Sequence, residues 1–376
     1  MTVHVVTDSS SCLPQDVADK AGVTVLKLHA FEEDGEKTTA GLSSLELAAA
    51  YARLLERGGD DGVVAIHLSK ELSATWSNAV SAAGVFDGLV TVVDTNNIGM
   101  VLGFAALRAA EVAQAGGSLQ EVTERAQEAI AQSSLWLYVH RLDALRKGGR
   151  ISAGQSLLTT ALAIKPIFQL AEGKLILAAK TRTQAKAMDK LVDIVHSAVV
   201  AEAERAFAEK NSSHADAATR SSASNAATRL TGGAGSDAGE DTAAGTEANA
   251  VAKTGAEGAE ANSSADKDAS EDGSPSFVRP LKSPEECHST TPRTVHIAVH
   301  HSDALEVAGE LMSRMEAALE ATRKEGKVIP AKAKNKADIP VTFSEFPEVE
   351  FTMVELSPEL AVHAGPGAVG VALALG

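Results

Sequence analysis

The chain has 376 residues, which is long enough for two domains, and its formal net charge is −16 at pH 7. Hydrophobic residues make up 44% of the chain and aromatic residues only 3%, so Leu, Val, Ile and Ala must fill the cores. The acidic balance argues against nucleic acid or an anionic membrane as the main partner, because both attract clustered Lys and Arg.

The cysteines and the apolar runs favour a reduced, cytoplasmic setting. Cys12 and Cys287 lie far apart in the sequence and form neither a metal-binding nor a disulfide spacing. The start of the chain lacks the pattern of a secretory leader, and no run of about 18 apolar residues follows it. We therefore expect a cytoplasmic protein without a transmembrane segment.

Apolar runs alternate with helical segments over residues 1–132. The predicted strands are Val3–Thr7, Val23–Leu28, Gly62–Leu68 and Val90–Val93. Strands separated by helices predict a mainly parallel sheet covered on both faces, which is a three-layer α/β domain. Ligands of such sheets bind at the carboxyl ends of the strands, where the hydroxyl-rich loop 37–44 and the loop at Ser73 fall.

From residue 133 onwards the order of elements changes, and we assign 133–376 to a second α/β domain. Its predicted strands are Leu135–Val139, Ile167–Leu170, Leu175–Ala178, Thr294–Val299, Val349–Leu356 and Ala368–Leu375. A helix predicted over 153–164 ends at Lys165-Pro166, because Pro disfavours a helical conformation in the residue before it. Longer helices are predicted over 183–207 and 304–321.

A low-complexity insert interrupts this second domain at residues 208–292. Between Ala208 and Ser276 the chain has no aromatic residue and no Ile, and twelve acidic residues stand against five basic ones. Such a composition buries too little apolar surface to offset the entropy of the chain. We therefore predict that the insert is disordered.

Several motifs, taken in order, carry a resemblance to a known family. They are VTDSSSCLP near the start, LSATWSNA at 72–79, VVDTNNIGMVLGF at 92–104, then GGRI, KP, EGK and KTRT between 148 and 183, and HAGPGAVGVAL near the end. The chain resembles the DegV family, bacterial proteins that bind long-chain fatty acids. The resemblance covers everything except about 208–292. It implies a parallel α/β domain followed by a mixed-sheet α/β domain, with the lipid between them.

Ser73 precedes a helix predicted to begin at about Thr75. From the residues alone it is an N-cap, whose side-chain oxygen accepts a free backbone N–H. The resemblance matches Ser73 to the first Ser of the family's LSGT motif, whose hydroxyl binds the fatty-acid carboxylate. The start of a helix also favours an anion, so the two roles are compatible.

Thr38 and Thr39 lie in the predicted loop 37–44, where a hydroxyl-rich turn is the plain interpretation. The resemblance aligns residues 39–43 with the family's TSQPS motif. This alignment favours Thr39 as a carboxylate ligand, but the motif is altered at Gly41 and Leu42, so Thr38 stays open as the alternative.

His363 stands beside a predicted turn, where a histidine is usually structural or solvated. The resemblance matches HAGPG to the family's H-x-GPG motif and makes His363 a neighbour of the lipid carboxylate. Gly365 and Gly367 would then let the backbone approach the ligand closely. Arg150 follows Gly148-Gly149, and either orients the loops or faces a partner.

Other kinds of site have weaker support. Ser73, His363 and an aspartate such as Asp8 or Asp94 could form a triad, but a G-x-S-x-G elbow is missing from the sequence. His300 and His301 are adjacent on a predicted strand and so point to opposite faces, which disfavours a metal site. Gly148-Gly149-Arg150 has neither the G-x-G-x-x-G nor the Walker spacing of a nucleotide site.

We therefore interpret the chain as a lipid-binding carrier without catalytic residues, cofactor or metal. The resemblance implies that an apolar tunnel between the domains holds a long-chain fatty acid. It also implies that Ser and Thr hydroxyls hold the carboxylate, and that a separate fatty acid kinase acts on the bound acid. Two alternatives stay open: a small-molecule hydrolase with Ser73 as nucleophile, and an interaction protein that acts through its acidic insert.

Overall fold

The computed structural model describes residues 3–33, 36–58, 61–151, 164–205, 294–325 and 346–375. Its strands are β1 (His4–Asp8), β2 (Val23–Leu26), β3 (His29–Glu33), β4 (Glu36–Ala40), β5 (Val63–His67), β6 (Val90–Asp94), β7 (Ser133–Tyr138), β8 (Lys165–Ala171), β9 (Lys174–Thr181), β10 (Thr294–Ser302), β11 (Glu348–Glu355) and β12 (Ala368–Leu375). The predicted insert at 208–292 lies outside the described residues, as does nearly all of the predicted helix at 153–164.

The helices connect these strands and cover the sheets that they form. They are α1 (Gln15–Ala21), α2 (Ser44–Gly58), α3 (Thr75–Ala83), α4 (Met100–Gln114), α5 (Leu119–Ala131), α6 (Asp143–Lys147), α7 (residues 184–205), α8 (Leu305–Glu325) and α9 (Pro358–Ala364). Within the described residues, none of these helices is both long enough and apolar enough to cross a membrane.

The first sheet is parallel, as predicted. Its strand order is β2–β1–β5–β6, and every neighbouring pair is parallel. All five residues of β5 are buried, because helices cover both faces of the sheet. Helices α2 and α3 pack on one face, and α1, α4 and α5 pack on the other. This arrangement is the predicted three-layer α/β architecture.

The second sheet is mixed, as the resemblance implies. Its order is β11–β10–β12–β7–β8–β9. Only β10 and β11 pair in parallel, and the other neighbours are antiparallel. Strand β12 lies inside the sheet and all eight of its residues are buried. Helices α7 and α8 pack on the outer face of this sheet.

Helices α4 and α5 lie between the two sheets and pack against both. One continuous apolar core joins them to strands of the first sheet and to β7, β8, β10 and β12 of the second. His300 links the two halves directly, because its Nε2 accepts the backbone N–H of Met100 at 2.9 Å. The division into domains at residue 132 stays a prediction, since this core crosses the proposed boundary.

Residues 37–40 are not the loop that the sequence predicts. They belong to β4, which pairs with β3 in an antiparallel two-stranded sheet separate from the two larger ones. The prediction was wrong because both strands are largely polar and exposed, so they lack the apolar alternation that marks a half-buried strand.

Candidate functional site

A cavity of about 250 Å³ lies at the carboxyl ends of the first sheet, where they face the second sheet. Its lining is largely aliphatic and comes from both halves of the chain: Leu28, Leu68, Leu72, Ile98, Leu135, Leu137, Leu145, Leu175, Leu356 and Leu360. A concave, apolar site with a few polar groups is the usual form of a small-molecule site. The lining therefore favours a ligand with a long apolar part.

Four polar side chains cluster in the same cavity, and we call Thr39, Ser73, Arg150 and His363 its polar end. Thr39 Oγ1 and His363 Nε2 form a hydrogen bond of 2.8 Å across 324 residues of sequence. Arg150 Nε donates to the carbonyl of Leu72, which precedes Ser73, at 3.3 Å. The fold thus brings together residues that sequence analysis selected one by one.

Ser73 lies one residue before Ala74, the N-cap of α3 by position, but its hydroxyl makes the kind of bond that the sequence predicts. Ala74 makes no side-chain cap bond, because its methyl group has no hydrogen-bond acceptor. The Ser73 hydroxyl still accepts the N–H of Thr75 at 3.2 Å and lies 2.9 Å from Thr75 Oγ1. Its hydroxyl proton can therefore be donated to a ligand in the cavity.

Thr38 and Thr39 point to opposite faces of β4, as successive residues of a strand do. Thr39 is partly buried and lines the cavity, whereas Thr38 is exposed and pairs with the exposed Phe31 across the hairpin. The geometry therefore places Thr39, and not Thr38, where a cavity ligand would lie.

His363 lies in the last turn of α9, a helix that sequence analysis missed in favour of a turn. Burial and the nearby Arg150 guanidinium lower the pKa of His363 below its usual value. The imidazole is therefore neutral near pH 7, and it can either donate or accept at Nε2.

Arg150 holds loops together at the polar end. In addition to Leu72, its guanidinium donates to the carbonyl of Gly148, and the side chain is half-buried. The sequence left two roles open for Arg150, to orient the loops or to face a partner. Its described contacts match the first role.

The glycines that touch the polar end differ from the predicted ones. Gly365 and Gly367 adopt positive φ in the turn after α9, but neither lines the cavity. Sequence analysis named Gly148 without predicting its contact with His363, where an added Cβ would lie 2.7 Å from Nδ1. At Gly41 such a Cβ would lie 2.9 Å from Ser73 Oγ. Close approach of backbone to side chain, which the sequence does not reveal, favours glycine at both positions.

Glu359 is a further cavity residue that sequence analysis missed. It lies four residues before His363 in α9, so the two side chains share one face of the helix. The spacing is a usable signal only once the helix is known.

The arrangement does not form a hydrolase triad. His363 Nε2 is bonded to Thr39, and within the described residues no hydrogen bond joins it to Ser73. Asp8 is engaged elsewhere, since its Oδ2 accepts His67 Nδ1 at 2.9 Å in a fully buried pair. Across the described ranges, no group of three or more His, Cys, Asp or Glu is placed to hold a metal.

Comparison with known proteins gives a consistent assignment. The model of a family described as "Uncharacterised protein, DegV family" matches residues 28–231. A DegV domain-containing protein of Corynebacterium glutamicum is 53% identical over 195 residues, which cover 52% of this chain and 71% of that protein. The crystal structure of a DegV family protein from Corynebacterium glutamicum matches with a TM-score of 0.65 at 34% identity, covering 100% of this chain and 98% of that chain.

A more distant structure adds a functional description of its own protein. A DegV family protein from Thermus thermophilus, described by its fatty acid binding, has a TM-score of 0.58 at 23% identity and covers 100% of this chain and 99% of that chain. At this identity the likeness shows the fold alone. The family match spans more than half of the chain, and the 53% identical relative is matched over most of its length. This chain belongs to the DegV family.

Proposed function

We propose that this protein binds a long-chain fatty acid in the cavity, with the carboxylate at Thr39, Ser73 and His363. The observation that carries the proposal is an aliphatic cavity that ends in two hydroxyls, an imidazole and a guanidinium. Its support from relatives is the family membership and the fatty acid binding described for the Thermus thermophilus protein.

The two parts of the ligand would be held by different forces. Each CH₂ group that leaves water for the aliphatic lining contributes about 0.8 kcal/mol. A carboxylate loses its hydration in the same step, so it needs donors in its place. The hydroxyls of Ser73 and Thr39 are such donors, and hydrogen bonds to a charged group are the stronger kind. Arg150 adds a positive charge behind them.

We further propose that the protein is a carrier that presents its fatty acid to a separate kinase, in the cytoplasm. The polar end offers hydrogen-bond donors to a carboxylate. Within the described residues the Ser73 hydroxyl is bonded to Thr75, and His363 is bonded to Thr39, so Ser73 has no general base for nucleophilic attack. The Cys12 thiol is free and buried, and burial raises its pKa to about 12, so it is unreactive in the folded protein.

Native mass spectrometry of the protein purified from a bacterial host tests the binding proposal, and we expect a co-purified long-chain fatty acid. An empty protein that also fails to bind added fatty acid would refute it.

The carrier proposal has its own test, since the protein with ATP and fatty acid alone should form no acyl-phosphate. Adding the partner kinase should start turnover, and steady ATP consumption by the protein alone would contradict the carrier role.

A further inference from the structure

Glu359 lines the cavity, but it has no role in the proposed binding of the carboxylate. The residue is 7% exposed and lines the cavity together with Leu356 and Leu360. Its Oε2 atom is buried and has no hydrogen-bond partner among the residues that the structure describes. A carboxyl oxygen is a hydrogen-bond acceptor, and leaving it buried and unpaired is unfavourable. The cavity therefore contains an unused acceptor.

The fold does not explain why this side chain is buried. An acidic residue in the first turn of a helix is favourable because of the helix dipole, but an exposed position gives the same benefit. The nearby Cys12 thiol, whose pKa the Glu359 charge helps to raise, contacts the carbonyl of Ser10 at 3.7 Å instead. The cavity that Glu359 lines is where a ligand could supply the missing donor.

The position of Glu359 restricts where that donor lies on a ligand. Residues four apart on a helix have their Cβ atoms roughly 5–6 Å apart, so Glu359 lies one turn from His363 along the same wall. If the carboxylate of a fatty acid is at His363, the donor belongs within the first few carbons of the acyl chain. The aliphatic lining around Glu359 favours a neutral donor, because a second buried charge would need further partners.

We propose that Glu359 makes the cavity selective for fatty acids that carry a hydroxyl group close to the carboxyl end, such as 3-hydroxy acids. This inference rests on the proposed fatty-acid function and specifies the class of ligand. The hydroxyl donates to the Glu359 carboxyl oxygen, whereas an unsubstituted chain leaves that oxygen unpaired. A site built to bond a hydroxyl discriminates against the analogue that lacks it.

The first test uses the wild-type, delipidated protein and three acids of equal length: octadecanoate, 3-hydroxyoctadecanoate and 12-hydroxyoctadecanoate. Dissociation constants from calorimetry should rank the 3-hydroxy acid tightest, by about tenfold to a hundredfold over octadecanoate. The 12-hydroxy acid should bind weakest, because its hydroxyl enters the aliphatic part unpaired. This position test needs no mutation, so it does not depend on a variant that folds.

The second test uses Glu359→Leu and Glu359→Gln. In Glu359→Leu the preference for the 3-hydroxy acid should disappear, and octadecanoate should bind more tightly than to the wild type, because a negative charge near its carboxylate is gone. Glu359→Gln should keep part of the preference, since the amide oxygen still accepts. Glu355→Gln is the matched control, because it removes the same charge from an exposed position in β11. Thermal unfolding of each variant monitors the fold.

The outcomes separate this inference from the function on which it rests. Equal affinity of the wild type for the three acids overturns the inference and leaves fatty-acid binding intact. A preference that survives in Glu359→Leu overturns it as well. If none of the acids binds, the proposed function fails and the inference fails with it.

Discussion

At the scale of single residues, the polar end consists of two hydroxyls, one imidazole and one guanidinium. Thr39 reaches the cavity and Thr38 does not, because one step along a strand reverses the direction of the side chain. Replacing Thr38 and Thr39 one at a time therefore tests the position of a threonine hydroxyl, because the same residue type is removed in both variants.

We expect Ser73→Ala and Thr39→Val each to weaken fatty-acid binding by about tenfold to a hundredfold, because each removes a hydrogen bond to a charged group. Thr38→Val should leave the dissociation constant nearly unchanged, since its side chain is exposed outside the cavity. Fluorescent displacement titrations would measure all three variants.

The matching fatty alcohol is the control for this prediction. It keeps the tail and lacks the charge, so the Ser73 and Thr39 variants should lose much less affinity for it. Equal losses for acid and alcohol would place these hydroxyls along the acyl chain instead of at the carboxylate. Thermal unfolding should accompany the titrations, because Ser73 also accepts the N–H of Thr75.

His363 makes the same site sensitive to pH. Burial and Arg150 lower its pKa in the empty protein, whereas a bound carboxylate would favour the imidazolium and raise that pKa. Binding should therefore take up protons, so affinity should rise as the pH falls through the raised pKa of the bound state and should level off below the lowered pKa of the empty protein. Calorimetry in buffers of different ionisation enthalpy would detect the uptake. In His363→Gln the uptake should vanish; if it persists, another group titrates.

At the scale of elements, the polar end depends on how closely α6 and α9 approach. Gly148, the C-cap of α6, lies against the His363 ring, and an added Cβ would be 2.7 Å from Nδ1. The ring is enclosed on its other side by the bond to Thr39. It therefore has little room to move away.

Gly148→Ala should displace His363 and weaken fatty-acid binding, at a cost of about 1–3 kcal/mol in the free energy of unfolding. Gly84→Ala is a closely matched control. Gly84 is also a C-cap with a right-handed helical backbone, but its added Cβ would have its nearest neighbour at 3.5 Å, an ordinary contact. Chemical denaturation and binding titrations would be compared for both. Equal effects of the two substitutions would argue against crowding of His363.

The elements also show what can be derived from a sequence. Strands such as β5 and β12 were predictable because an uninterrupted apolar run fits a strand that is buried on both faces. β4 and α9 were not. β4 is polar and exposed, so its pairing with β3 has no counterpart in hydrophobic periodicity. α9 has only seven residues, which is too short to display a helical period before the GPG turn.

Within the site, the predictable part was the residue types and the unpredictable part was their contacts. Ser73, Thr39 and His363 were identified from motifs that resemble a family. The bond between Thr39 and His363, and the burial of Glu359, depend on elements far apart in sequence that meet only in the folded chain. Local patterns contain no information about such meetings.

At the scale of the whole molecule, a buried histidine joins the two halves of the structure. His300 in β10 accepts the N–H of Met100 at the start of α4, and burial lowers the pKa of His300 from 6.5 to about 4. In the unfolded chain His300 has its ordinary pKa. Between these two pKa values the unfolded chain therefore binds a proton that the folded protein does not, so stability rises with pH.

We expect the free energy of unfolding to fall as the pH drops from about 7 to about 4, with His300 contributing about 3 kcal/mol to the loss. The loss of stability from His300 begins as the pH falls through 6.5, its pKa in the unfolded chain. It is complete near pH 4, close to its pKa of about 4 in the folded protein. His300→Gln keeps an acceptor for Met100 and cannot titrate, so its pH profile should be flatter by that amount. Denaturant titrations at several pH values would measure this difference, and parallel profiles for the two proteins would contradict it.

The place of β12 in the second sheet has a consequence for protein synthesis. β12 lies between β10 and β7, so until residues 368–375 leave the ribosome the sheet is two separate pieces with unpaired inner edges. The four strands of the first sheet need nothing beyond residue 94, and they can assemble while translation continues. His363 arrives directly before β12. A nascent chain therefore exposes most of the cavity lining before the last part of it, from Leu356 to Ala364, arrives in one late step.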